Sequence, residues 1–123
     1  MTTGTVLTLG RITPVPGPDS ALTARICAAI NELDPLPPLV IVAEGDEALL
    51  LPAIALSQRS TRRRVGEYVL IDPVLPAVSD TWPDAPVTVV SDDAEGFASR
   101  QASLRGWRVL TPAQWSEESA TST

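Results

Sequence analysis

The sequence contains no histidine and no lysine; all nine of its cations are arginine, and it has one cysteine. These absences exclude a Ser-His-Asp triad, a Cys-His pair, a Ser-Lys dyad and a lysine Schiff base. Cys27 alone builds neither a zinc site nor an internal disulfide, which fits a reducing compartment, and its default role is that of a small buried side chain. Side-chain proton transfer is left to an Asp or Glu with a shifted pKa, and any metal would be a hard cation on oxygen ligands. No apolar run approaches the length of a membrane span. Met1-Thr2-Thr3-Gly4 lacks the basic segment and apolar core of a signal peptide, so a cytoplasmic location is expected.

What is present describes one domain. The chain has 123 residues, 44% of them apolar, enough for a single core over residues 1–115. The small, polar stretch 116–123 reads as a disordered tail. A net charge of −6 repels phosphate backbones and anionic lipid, so neither nucleic acid nor a membrane is an expected partner. The run Arg62-Arg63-Arg64 reads as a solvated helix end, where cations oppose the negative end of the dipole.

Periodicity supplies the elements. Residues 5–9 form a β-favouring run closed by Gly10, and the proline-rich stretch 14–18 is a loop. Asp19 and Ser20 suit a helix N-cap. Leu22, Ile26, Ile30 and Leu33 recur at helical spacing until Pro35, so a first helix is expected to bury that stripe. Leu39-Val40-Ile41-Val42 continues to Ala43 as a strand apolar on both faces. Residues 48–60 form a second helix with Pro52 near its first turns. Residues 67–71 and 86–90 are further strands, separated by a proline-rich loop. Residues 93–105 suit a helix terminated by Gly106, and residues 107–110 form a last strand. Strands alternating with helices imply right-handed crossovers and an α/β fold: three layers, with a mainly parallel sheet of about five strands.

The candidate site lies at the carboxyl ends of those strands, where ligands gather in parallel sheets. Glu44, Gly45, Asp46, Asp72, Asp92 and Asp93 all fall there. In Val42-Ala43-Glu44-Gly45-Asp46-Glu47-Ala48, three acids and a glycine occupy a strand-to-helix turn. One reading is a stable helix start: the dipole favours Asp46 and Glu47, and Gly45 relieves the backbone. The other is convergence of Glu44, Asp46, Asp72 and Asp92 on a pocket, where repulsion and burial would raise a pKa.

Residues 36–115, roughly two thirds of the chain, resemble the C-terminal half of a small bacterial α/β-hydrolase. Four pieces carry the likeness in order. The first is the strand 39–42, the AEGDEA turn and Leu50-Leu51-Pro52-Ala53-Ile54-Ala55. It is followed by residues 65–76, ending Asp72-Pro73-Val74-Leu75-Pro76, then by residues 86–93, and finally by Arg105-Gly106-Trp107-Arg108-Val109-Leu110. The resemblance places the nucleophile position on Gly45 and the acid on Asp92 or Asp93. It places the histidine near residues 111–114, where none exists; Gln114 either marks that position or is an ordinary surface residue. The likeness therefore implies the fold and opposes the hydrolytic chemistry.

The leading expectation is a non-catalytic α/β-hydrolase-like module, a pseudoenzyme that binds a small apolar ligand or a partner protein, with no cofactor and no metal. The alternative is a carboxylate-based cyclase, isomerase or lyase of bacterial specialised metabolism, with Glu44 as base and Asp92 as acid. A carboxylate-bound Mg²⁺ or Ca²⁺ is a third. Trp82, Trp107 and Trp115 read first as packing residues, with lining of a pocket or an interface as the alternative. Shortening also has a consequence for assembly. The first strand is expected to pair beside residues 39–43 within the monomer, leaving an uncharged edge. A homodimer, or a heterodimer with a fuller hydrolase-like protein, would then bury Val6 and Leu7.

Overall fold

A computed structural model of the chain describes residues 4–93 and 95–121, and for the last five of these the backbone alone. Five strands form one sheet: β1 (Thr5–Thr8), β2 (Leu39–Glu44), β3 (Val65–Ile71), β4 (Val87–Val90) and β5 (Arg108–Leu110). All are parallel, and they lie side by side in chain order. The fold is thus the three-layer α/β arrangement expected, and β1 pairs directly with β2 as an edge strand.

Chain order decides where the layers go. When each right-handed crossover advances the sheet by one strand in the same direction, every connection lies on the same face. Three of them are the helices α1 (Leu22–Leu33), α2 (Leu51–Ser60) and α3 (Phe97–Leu104). The fourth, between β3 and β4, has no helix; its Trp82 fills that place. Ile26, Ile30, Leu51, Ile54, Trp82 and Ala102 pack together against Leu7, Ile41, Ala43, Tyr68, Leu70, Val87 and Val89 of the strands. Trp82 is 1% exposed and meets Tyr68 and Trp107 edge-on, with ring centroids 5.5 and 5.7 Å away. The default packing role of the tryptophans holds most strongly here.

The opposite face has one helix, α4 (Pro112–Thr121), whose Trp115 packs on a small cluster of Val42, Val69 and Val90. This helix takes in residues 116–121 of the stretch expected as a disordered tail; residues 122–123 lie outside the described residues. Its cause is a capping box that the sequence reading passed over. The Thr111 N–H donates to Gln114 Oε1 at 2.8 Å, the Gln114 N–H donates to Thr111 Oγ1 at 3.2 Å, and Pro112 opens the helix.

Other boundaries moved for local reasons. Asp19–Ala21 forms a 3₁₀ turn, and α1 begins after Ala21 with no side-chain cap. Of its expected stripe, Ile26 and Ile30 are buried, whereas Leu22 and Leu33 are 40% and 61% exposed. Twelve helical residues span about 18 Å and overhang the four-residue β1, about 13 Å long. The third helix starts at Phe97 instead of Asp93 because Asp93 organises a turn of its own. Its carbonyl accepts from the Gly96 N–H (3.1 Å) and the Ser99 hydroxyl (2.7 Å). Gly106 ends that helix as expected, at φ 78, in a Schellman motif: the Trp107 N–H donates to Ala102 O and the Gly106 N–H to Ser103 O. Pro52 lies in the first turn of α2, its permitted place.

Candidate functional site

The strand-to-helix turn after β2 is a 3₁₀ segment, Gly45–Leu50, leading into α2. Gly45 has φ 61, the left-handed region that a β-carbon disfavours, so the glycine suits this turn. Its acids are engaged with the backbone. Glu44 and Glu47 form a reciprocal capping box: the Glu44 side chain accepts from the Glu47 N–H, and the Glu44 N–H donates to Glu47 Oε1 at 2.9 Å. Together with Asp46 they place negative charge at the start of the α2 segment, where the peptide dipoles favour it.

The other candidates distribute along the same sheet edge. Asp72, at φ 42, follows β3, and Asp92 and Asp93 follow β4. Asp72 and Asp93 line one shallow cavity of about 260 Å³ with Ser91, Phe97 and Ser99. Asp93 is tied into its loop: its Oδ1 accepts from the Glu95 N–H at 3.2 Å, and its own N–H donates to Ser91 Oγ at 3.1 Å. Glu44 lines a different cavity, and Asp46 and Asp92 line neither. Among the described residues no group of three or more His, Cys, Asp or Glu side chains is placed to hold a metal ion. A sheet wound in one direction also lacks the point where strand order reverses, which is what opens a crevice at the carboxyl edge of doubly wound folds.

The cavity that takes in Glu44 has a volume of about 500 Å³ and lies on the face opposite α1, α2 and α3. Val6, Thr8, Val42 and Ile71 form its floor, Trp115 one wall, and Arg11 and Glu44 stand at its rim. Parallel registration puts Val6 beside Val40 and Thr8 beside Val42, so this floor is a continuous strip across β1, β2 and β3. Val6 is 64% exposed. Toward the amino ends of β3, β4 and β5 the same face turns polar. Thr88 Oγ1 donates to Glu67 Oε2 at 2.9 Å, and Arg108 lies 3.6 Å from that carboxylate. Leu7, expected at an assembly surface with Val6, is instead 6% exposed in the core, because alternation sends it to the helix-covered face.

Trp115 fills both roles open to it: it packs on the cluster of Val42, Val69 and Val90, and it lines the cavity beside Val6 and Glu44. The arginine run does follow the end of α2, but Arg62, Arg63 and Arg64 also line a concavity together with Arg59. The proline-rich β3–β4 loop expected from the sequence brings Asp84 to that concavity, but nothing in the sequence marks Asp84 as the neighbour of Arg59 there.

Tyr68 has the one strongly shifted titration among the described residues. Burial raises its phenol pKa well above the ordinary tyrosine range, and Asp84, whose Oδ1 accepts from the Tyr68 hydroxyl at 2.5 Å, raises it further. The hydroxyl therefore stays protonated and acts as a structural donor.

No helix of the described residues is long and apolar enough to cross a membrane. No protein-family model, curated protein or solved structure gives a significant match to this chain.

Proposed function

We propose that this chain is a non-catalytic binding module, that its docking surface is the sheet face centred on Val6, Val40, Val42 and Ile71, and that its occupant is a second copy of the chain. One observation carries the reading: a parallel sheet wound in a single direction has all its crossovers on one face, leaving the other, among the described residues, to α4 alone. Parallel sheets are normally covered on both faces, and an exposed apolar strip marks an interaction surface.

The surface is self-complementary. Edge strand β1 carries no charge and no proline, the features that normally block association. The cavity rim holds one cation, Arg11, and one anion, Glu44, so a two-fold axis would set each against the opposite charge of the partner copy. Arg11 makes no ion pair among the described residues. The commitment of Glu44 and Glu47 to a capping box supports the non-catalytic part of the reading. A relationship to α/β-hydrolases belongs to the same proposal, supported by the strand, left-handed glycine and helix that follow one another at residues 39–60.

Valine methyl resonances followed during dilution test this reading. Val6, Val40 and Val42 should shift with concentration while Val87 and Val89 on the covered face stay still. Methyls that do not respond on either face would contradict it, as would turnover of short acyl esters that an Asp92→Ala substitution removes.

A further inference from the structure

The geometry points to a second binding site, at the opposite edge of the sheet, for a small molecule carrying a phosphate monoester. At the amino ends of β3 and β4 lies a concavity of about 370 Å³ lined by Arg59, Arg62, Arg63 and Arg64 with Asp84. Four of the nine arginines of a chain with net charge −6 converge there, so the local balance is opposite to that of the whole molecule.

Neutralising the helix dipole does not account for the arrangement. The α2 helix ends at Ser60, and of the four arginines only Arg59 lies in its last turn. The terminal carbonyls already have backbone partners: Ser57 O accepts from the Thr61 N–H, Arg59 O from the Arg62 N–H and Gln58 O from the Arg63 N–H, at 3.2, 3.0 and 2.9 Å. The three following arginines lie in the connection to β3, which bends at Arg62 (φ 62) and is held where Arg64 O accepts from the Leu39 N–H at 2.8 Å.

Within that fixed frame the four guanidiniums divide into two pairs. Arg63 is spoken for, with Asn31 Oδ1 at 2.8 Å and Asp34 Oδ1 at 3.0 Å. Arg59 donates to Thr81 O at 3.0 Å and lies 3.9 Å from Asp84 Oδ2. Arg62 and Arg64 are exposed and have neither an ion pair nor a side-chain hydrogen bond among the described residues. Two unpaired guanidiniums lining one concavity balance the charge of one dianion, and planar guanidinium donors suit phosphate oxygens. The cavity exceeds the volume of a phosphate group, and Val65, Ala85 and Pro86 offer an apolar wall to the organic remainder. Asp84, also in the lining, can accept from a ligand hydroxyl, and its repulsion of the phosphate is offset by Arg59.

Calorimetric titration at constant ionic strength with glycerol 3-phosphate, inorganic phosphate and acetate tests the site. Saturable binding should be tightest for glycerol 3-phosphate and weakest for acetate. Arg62→Ala/Arg64→Ala should weaken it roughly tenfold or more, while Arg100→Ala, an exposed arginine elsewhere, should leave it unchanged. Both arginines are at the surface, and an unchanged melting temperature without ligand will show that the double variant folds. The inference is overturned by no saturation up to about 10 mM, by equal affinity for acetate, by tighter binding of a single-stranded oligonucleotide, or by a double variant that binds like the parent.

Discussion

The two faces of the sheet are built from the same five strands and meet opposite fates. On one, residues of α1, α2 and α3 and the Trp82 loop cover Leu7, Ile41, Tyr68, Leu70 and Val89, of which the last four are 0% exposed. On the other, Val69 and Val90 are buried beneath α4, yet Val6 at the β1 end is 64% exposed. Hydrophobicity does not separate the faces, since both carry valine and isoleucine. Winding does. With all crossovers on one side, the second face depends on whatever follows the last strand, and a single helix shields only part of it.

The largest loss should come from the covered face. Trp82→Ala removes the one large side chain that stands in for a crossover helix, and should cost about 3–5 kcal/mol in urea unfolding. A loss below about 1 kcal/mol would mean that the β3–β4 loop is not a working part of the core. Tyr68→Phe keeps the ring and deletes the bond to Asp84; a hydrogen bond to a charged group is worth about 1.5–3 kcal/mol. Its pH dependence has a definite sign. Because folding raises the Tyr68 pKa, its contribution is complete below the unfolded value of about 10 and is lost as pH rises from there toward the folded value. Unfolding midpoints should therefore fall steeply above about pH 10 in the parent and less so in the Phe variant.

On the second face the effects should shrink. Trp115 is half-buried, so Trp115→Ala should cost about 1–2 kcal/mol, and Thr111→Ala, which breaks the α4 cap, about 1 kcal/mol. Circular dichroism during thermal unfolding checks both. If Trp115→Ala destabilised as much as Trp82→Ala, the contrast between the faces would collapse.

This contrast also explains what could be read in the sequence. The strands, the parallel sheet, the place of Pro52 and the Gly106 stop were legible because each rests on local chemistry: β-branched runs, a missing N–H, a left-handed φ. The pairing of β1 with β2 was legible too, since a crossover over residues 10–38 permits it. The turn around Asp93 and the cap at Thr111 were local as well, but they depend on side-chain bonds that hydrophobic periodicity does not register. The candidate site was less legible. Periodicity places Glu44, Asp72 and Asp93 on one sheet edge, but it does not say that Glu44 lines one cavity while Asp72 and Asp93 line another. Nor does it reveal that residues as distant in sequence as Arg59 and Asp84 share a concavity.

The smallest expected change in stability accompanies the most informative change in assembly. Val6→Asp places a charge at an exposed position and should alter folding stability by no more than about 0.5 kcal/mol. Light scattering at high micromolar concentration should then give the parent a molar mass twice the 13.0 kDa of one chain, and the Val6→Asp variant the mass of one chain. A parent that remains at 13.0 kDa across the concentration range, or a variant that dimerises as the parent does, would contradict the assignment of the open sheet face as the docking surface.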